Sequence, residues 1–235
     1  MQILAFETSA KAASVALLQD GRLLGEYTQN SGQTHSRTLM KMAEDLLQNC
    51  DRQVTDVDAV ACAAGPGSFT GVRIGVAAAK GFAWGRTLPC YGVSTLEAMA
   101  KGVAVADGVI CAAMDARRSQ VYTALFRVEN GQMTRLLEDC AISIEELGGH
   151  LKNLEKTIFF VGDGAELCYN ILGFSGNSRI LLPEHLRMQR AAGVALLAWE
   201  QAQRGEAPSG AGLTPNYLRL SQAERERNQK LNLKD

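Results

Sequence analysis

Residues 3–27, ILAFETSAKAASVALLQDGRLLGEY, hold the reading on which the fold turns. The apolar run Ile3–Phe6 has the character of a buried strand and stops at the polar triplet Glu7-Thr8-Ser9. Ser14–Leu18 follows as a second strand, and Asp20-Gly21 turns it into a third, Arg22–Tyr27. Asp-Gly between apolar runs is a strong hairpin signal, because both residues tolerate the positive φ that a tight primed turn demands. The same order returns in the second half of the chain. Val109–Met114 ends at Asp115, Gln120–Val128 follows, and Asn130-Gly131 leads into Gln132–Leu137. The interval from carboxylate to turn is nearly the same in both copies, Glu7 to Asp20 and Asp115 to Asn130. The chain therefore reads as a tandem repeat of one unit, a three-stranded meander with a carboxylate at the end of its first strand.

Working outward, each meander is followed by helix and strand material, as expected of a mixed sheet flanked by helices. A helix near Ser36–Gln48 carries Leu39, Met42, Ala43, Leu46 and Leu47 on one face. Strand Asp58–Ala64, helix Phe69–Trp84, strand Leu88–Val93 and helix Thr95–Lys101 complete the first unit. The second has a capping-box start at Ser143 with Glu146, a helix to Leu151 and a strand Thr157–Val161. A helix near Ala165–Leu172, a short strand Arg179–Leu182 and a helix near Ala191–Arg204 end it. With the join near Gly102–Gly108, the expected division is residues 1–104, residues 105–220 and a charged tail, 221–235. The tail mixes signs, with Glu224, Arg225, Glu226, Arg227 and Lys230, and reads as a solvated, partly helical segment.

Between strand and helix lies Gly65–Gly75, GPGSFTGVRIG. A glycine turn that opens into a helix is where anions and partners gather, since the first N–H groups of a helix lack internal acceptors. Neither common phosphate fingerprint fits: no Lys-Ser or Lys-Thr pair follows, and the spacing is not that of a dinucleotide turn. The turn is open to a structural or a ligand role. Along the helix, Gly71, Gly75 and Ala79 recur every fourth residue, a small-residue stripe suited to internal packing or to close approach by another helix.

The chain has 235 residues, 46% hydrophobic and 21% charged, with a formal net charge of −1. That balance offers no long-range attraction for nucleic acid or an anionic membrane, so any RNA is expected to be held by another subunit. No secretory signal pattern or long apolar run is present, which points to the cytoplasm. Six scattered cysteines without a C-x-x-C pair read as reduced, buried thiols. The three histidines, His35, His150 and His185, have no partner at zinc-ligand spacing, so no metal is expected.

Two copies of this unit, each with its carboxylate, resemble the actin-like ATPase and sugar-kinase superfamily (ASKHA, ribonuclease H-like). Particular motifs narrow the resemblance: ETSAKAASVALLQDG from Glu7, AAGPGSFTGVRIG from Ala63, GVSTLEAMA from Gly92, MDARRSQVYTALF from Met114 and TPNYLR from Thr214. On these the chain is similar to the TsaB (YeaZ) family along essentially its whole length. The resemblance implies an α/β fold of two tandem actin-like lobes. It implies a non-catalytic subunit that, with a TsaD-type catalytic subunit and a TsaE-type ATPase, supports threonylcarbamoyl transfer to N6 of the adenosine next to the tRNA anticodon. TsaD-type proteins hold a metal with a His-x-x-x-His pair and an aspartate; here the position four after His35 is Leu39.

The superfamily's nucleotide cleft maps onto Glu7, Thr8, Ser9, Asp115, Arg118, Gly162, Asp163 and Gly164. It looks degenerate, with Asp115-Ala116-Arg117-Arg118-Ser119 where active relatives carry glycines, so no cofactor is expected unless nucleotide sits at a partner interface. Arg117 and Arg118 either contact an anion or solvate a hairpin edge. The family pairs through the two helices of the first unit, with its catalytic partner or with itself. That implies an interface of Met42, Leu46, Gly71, Arg73, Gly75, Val76, Ala79 and Lys80. Two alternatives stay open: an ATP-dependent ATPase or kinase using Glu7 and Asp115, and a peptidase of the glycoprotease kind.

Overall fold

Both expected turns form with positive φ at each central residue: Asp20 at 49° and Gly21 at 80°, Asn130 at 51° and Gly131 at 74°. This backbone matches the right-handed twist of the strands it joins. In the computed structural model, which describes residues 1–173 and 178–219, β1 (Gln2–Glu7), β2 (Ala13–Gln19) and β3 (Arg22–Gln29) form an antiparallel meander. Next to β1, β4 (Ala59–Gly65) and β5 (Cys90–Ser94) add in parallel, giving the order β3-β2-β1-β4-β5. The second sheet repeats that order. β6 (Gly108–Asp115), β7 (Gln120–Glu129) and β8 (Gln132–Ser143) form its meander, and β9 (Ile158–Val161) and β10 (Arg179–Leu181) add in parallel beside β6. The fold is two tandem actin-like lobes.

Seven α-helices are described: α1 (His35–Asn49), α2 (Phe69–Trp84), α3 (Thr95–Gly102), α4 (Ile144–Leu151), α5 (Ala165–Leu172), α6 (Glu184–Arg187) and α7 (Ala191–Gln203). Ser68, Ser94 and Ser143 start α2, α3 and α4, each side chain accepting a hydrogen bond from an N–H of the first turn. The period-2 alternation of the strands decides which helix lies where. Leu4, Phe6, Val15 and Leu17 point to α1 and α2, whereas Ile3, Ala5, Ala16 and Leu18 point to α7. In the second lobe Val109, Cys111 and Ala113 face α4 and α5, and Ile110, Ala112 and Met114 face α3. Helix α7 follows the second sheet in sequence but packs on the first, so helix packing does not follow the division at residue 104. The expected tail, 221–235, lies outside the described residues.

Two elements depart from expectation. β8 continues to Ser143 rather than Leu137, because bulges opposite Thr123 and Leu125 let the strand bend and stay paired with β7. The short helix Glu184–Arg187, started by Pro183, has too few residues to show a period. The cysteines are all free; Cys62, Cys90, Cys111 and Cys168 are buried, and desolvation raises each thiol's pKa, to about 11 for Cys90 and about 12 for Cys168. Among the described residues no helix is long and apolar enough to cross a membrane.

Candidate functional site at the interlobe cleft

The carboxyl ends of β1 and β6 face each other across a cavity of about 720 Å³. Ser9, Lys11, the glycine turn Pro66–Thr70, Met114–Arg118, Tyr122, Asp163 and the strap Asn216–Arg219 line it. Four of the eight expected cleft residues reach the cavity: Ser9, Asp115, Arg118 and Asp163. Glu7, Thr8, Gly162 and Gly164 sit behind its wall.

Glu7 ends β1 with no solvent exposure. Its Oε1 accepts the Ser9 N–H at 2.6 Å, while Oε2 has no partner among the described residues. Burial pushes its pKa up to about 7, only partly countered by the hydrogen bonds from Ser9. Thr8 Oγ1 donates to the Gly71 carbonyl at 2.7 Å, and the Ser68 N–H donates to the Ser9 carbonyl at 2.7 Å. The triplet after β1 is thus stitched to the start of α2.

That stitching explains the small-residue stripe. A Cβ on Gly71 would stand 2.1 Å from the Thr8 carbonyl oxygen, and one on Gly75 would stand 2.6 Å from Thr8 Oγ1. Gly71, Gly75, Val76 and Ala79 are buried against the first sheet, as are Met42 and Leu46 of α1. Six of the eight expected interface residues are thus buried in the single chain. The other two, exposed Arg73 and half-buried Lys80, hold the segment 213–217. Arg73 Nε donates to Tyr217 Oη at 2.8 Å, and Lys80 Nζ donates to the Leu213 carbonyl at 3.1 Å.

In the second lobe Asp115 ends β6 in solvent, its Oδ1 accepting the Arg117 N–H at 2.7 Å. Arg117, Arg118 and Ser119 all have positive φ, at 63°, 57° and 55°. Side chains disfavour this conformation by roughly 1–2 kcal/mol per residue. Gly162 and Gly164 are needed for close approach, since a Cβ would lie 2.1 Å from the Ala113 carbonyl oxygen and 2.7 Å from the Asp115 nitrogen. Between them, Asp163 accepts from Gln189 Nε2 at 2.8 Å. Although solvent reaches the residue, the cleft walls desolvate its carboxylate and raise its pKa, with the Asp115 charge adding to the shift.

His35 Nε2 lies 2.8 Å from the Ala10 carbonyl oxygen, and Leu39, one turn on, is core. Among the described residues no three His, Cys, Asp or Glu side chains gather as a metal-holding group.

Sequence reasoning missed the strap. The Asn216 N–H donates to the Ala64 carbonyl at 2.6 Å, and Arg219 Nη1 donates to the Ala116 carbonyl at 2.8 Å, so the strap joins one lobe to the other. Tyr217 stacks on Phe69 with ring centroids 4.5 Å apart, and the Arg73 guanidinium lies 3.8 Å from the Phe69 centroid on the same stack. The run TPNYLR was visible, but nothing in its composition says which wall it covers.

A family model described as TsaD, tRNA N6-adenosine threonylcarbamoyltransferase, matches residues 23–227. The tRNA threonylcarbamoyladenosine biosynthesis protein TsaB of Bacillus subtilis is 35% identical over 95% of this chain and 96% of its own length. The Escherichia coli protein of the same name is 43% identical over 56% of this chain and 58% of its own. Among solved structures, YeaZ from Pseudomonas aeruginosa superposes with a TM-score of 0.79 at 28% identity, covering 92% of this chain and 99% of that one. With the repeat, the motifs and the two sheets in the same order, the chain belongs to the TsaB (YeaZ) family.

Proposed function

We propose that this chain is a non-catalytic scaffold and activator subunit in tRNA threonylcarbamoyladenosine biosynthesis, working in the cytoplasm with a TsaD-type catalytic subunit and a TsaE-type ATPase. The similarity to TsaB of B. subtilis over nearly the full length supports the pathway. The position of Glu7 carries the non-catalytic part. A carboxylate pair acting on one substrate must share its cavity, and Glu7 is sealed behind the wall while Asp115 stands in solvent. Activation then means that this chain binds the active arrangement of its partner more tightly than the inactive one.

The surface that fits pairing is the outer face of α1 and α2, not the core stripe. On α2, Arg73, Ala77, Gly81 and Trp84 form one exposed row, and Met40 of α1 is exposed as well. Trp84 is 82% exposed and Met40 47%, an uneconomical position for large apolar groups unless something covers them. The same face serves a homodimer when the partner is absent.

The test is mass-spectrometric quantification of threonylcarbamoyladenosine in tRNA after reconstitution from purified components. Product is expected only when this chain is added, and Asp115→Ala is expected to support it as well as wild type. Loss of product in Asp115→Ala, together with ATP hydrolysis by the isolated chain, would favour the ATPase reading.

A further inference from the structure

We propose that the rim of the interlobe cleft contacts tRNA directly, as a site for a single-stranded RNA segment. In this site Lys11, Arg117 and Arg118 engage phosphates and the Tyr217 ring carries a base. The inference rests on the reading that tRNA is the substrate of the complex.

The net charge of −1 hides an uneven distribution. Lys11 from the loop after β1, Arg117 and Arg118 from the β6–β7 turn, and Arg219 from the strap all line one opening. Lys11, Arg117 and Arg118 are exposed, and none makes a side-chain hydrogen bond or ion pair with the described residues. Several exposed cations elsewhere are paired, as in Lys41 with Glu44 and Asp45, Lys156 with Glu129, and Arg204 with Glu206, and the exposed ones without a partner among the described residues, Arg22 and Lys152, stand singly rather than around one opening. Guarding a sheet edge does not account for the arginines, because β6 and β7 are both interior strands. The turn that carries them holds three consecutive non-glycine residues at positive φ, a conformational cost that a merely solvating pair would not require.

Beside these cations lies an aromatic platform. Tyr217 is 38% exposed, stacked on Phe69 and held through its hydroxyl by Arg73, so its ring is oriented before any ligand arrives. Cations beside an oriented ring suit single-stranded nucleic acid, whose phosphates and base faces are both met without sequence preference. The carboxylates of Asp115 and Asp163 line the same cavity and repel a phosphate placed beside them. They favour a strand whose phosphates meet the three cations over a small phosphate bound between the carboxylates.

The test measures binding of an unmodified tRNA transcript to the full chain by fluorescence anisotropy across a salt series, with product formation read in the reconstituted complex. The variants are the pair Arg117→Asn with Arg118→Asn, and Tyr217→Leu; Asn is chosen because it tolerates the left-handed backbone. Lys152→Ala, away from the cleft lining, is the control, and circular dichroism checks folding of each. The Asn pair is expected to weaken binding more than about tenfold and to flatten the log–log salt slope by about 1.4, two contacts at roughly 0.7 each. Tyr217→Leu is expected to weaken binding by at least about fivefold with the slope unchanged. No tRNA binding by wild type, equal binding by wild type and variants, or displacement of tRNA by ATP alone would each overturn the inference. If product still requires the chain while the variants bind tRNA normally, the functional reading stands and this one falls. If the variants lose tRNA while product forms without the chain, the site stands and the functional reading falls.

Discussion

Glu7 shows what one residue can impose on the pH behaviour of the fold. In the unfolded chain its carboxyl titrates near 4.5; in the folded chain burial moves this to about 7. The folded state therefore holds the proton more tightly. The resulting stabilisation is fully present below pH 4.5, declines as pH rises through the folded value, and is gone above about 7. At 1.36 kcal/mol per unit the ceiling is about 3 kcal/mol, and relaxation of the site lowers it. Glu7→Gln keeps a carbonyl to accept the Ser9 N–H and removes the titration. Urea melts at pH 5.5 and pH 8 should find the variant more stable than wild type at the higher pH, with the gap narrowing at the lower. A gap independent of pH would mean that the carboxyl is not desolvated as described. The carboxylate at the end of the first strand was legible from the sequence. Its sealing behind the cleft wall was not, because that depends on how α2 and Thr8 meet across the chain.

At the scale of the element, α2 carries two kinds of glycine that look alike in sequence. Gly71 meets the Thr8 carbonyl, whereas a Cβ on Gly81 would find nothing within 4 Å. Gly71→Ala is expected to cost about 2–3 kcal/mol through forced displacement of β1 backbone. Gly81→Ala is expected to gain up to about 1 kcal/mol from helix propensity alone. Thermal melts of the isolated chain decide this, and a titration with the TsaD-type subunit adds the functional arm. If the outer face of α2 is the docking surface, Gly81→Ala and Trp84→Glu weaken association although neither harms the fold. The bounds of α2, Phe69–Trp84, could be read from the glycine turn that opens it and the alanine-rich run that follows. Which side of it faces inward could not: Gly and Ala occupy both sides, so the pattern lacks the contrast that usually orients a helix. Helix α7 has the same ambiguity, being apolar nearly all round because it is packed between the first sheet and α3.

At the scale of the whole molecule, the repeat foretells two sheets but not how they are joined. Helix α3 serves both lobes: Leu96, Met99 and Ala100 pack with the second sheet and Ala98 with the first. A polar cluster lies along the same seam. Arg135 on β8 pairs with Glu97 of α3 and with Asp139, both at 2.5 Å, and Asp139 Oδ2 accepts from Ser94 Oγ at 2.5 Å. The guanidinium also lies 4.6 Å from the centroid of the Phe126 ring. Removing it leaves two carboxylates facing each other with little water around Asp139. Arg135→Ala is therefore expected to cost about 2–3 kcal/mol, less than a fully buried pair because solvent reaches Glu97. Since α3 and α7 tie the lobes through shared packing, that loss should not release one lobe alone. Trp199, packed on the first-sheet core, reports on the first lobe through its fluorescence, the exposed Trp84 adding a near-constant signal, while far-ultraviolet circular dichroism reports on the whole chain. Urea transitions followed by the two probes should coincide in wild type and shift together in Arg135→Ala. If the dichroism transition moved while the tryptophan transition stayed, the lobes would be folding independently and the seam would be a contact rather than a common core.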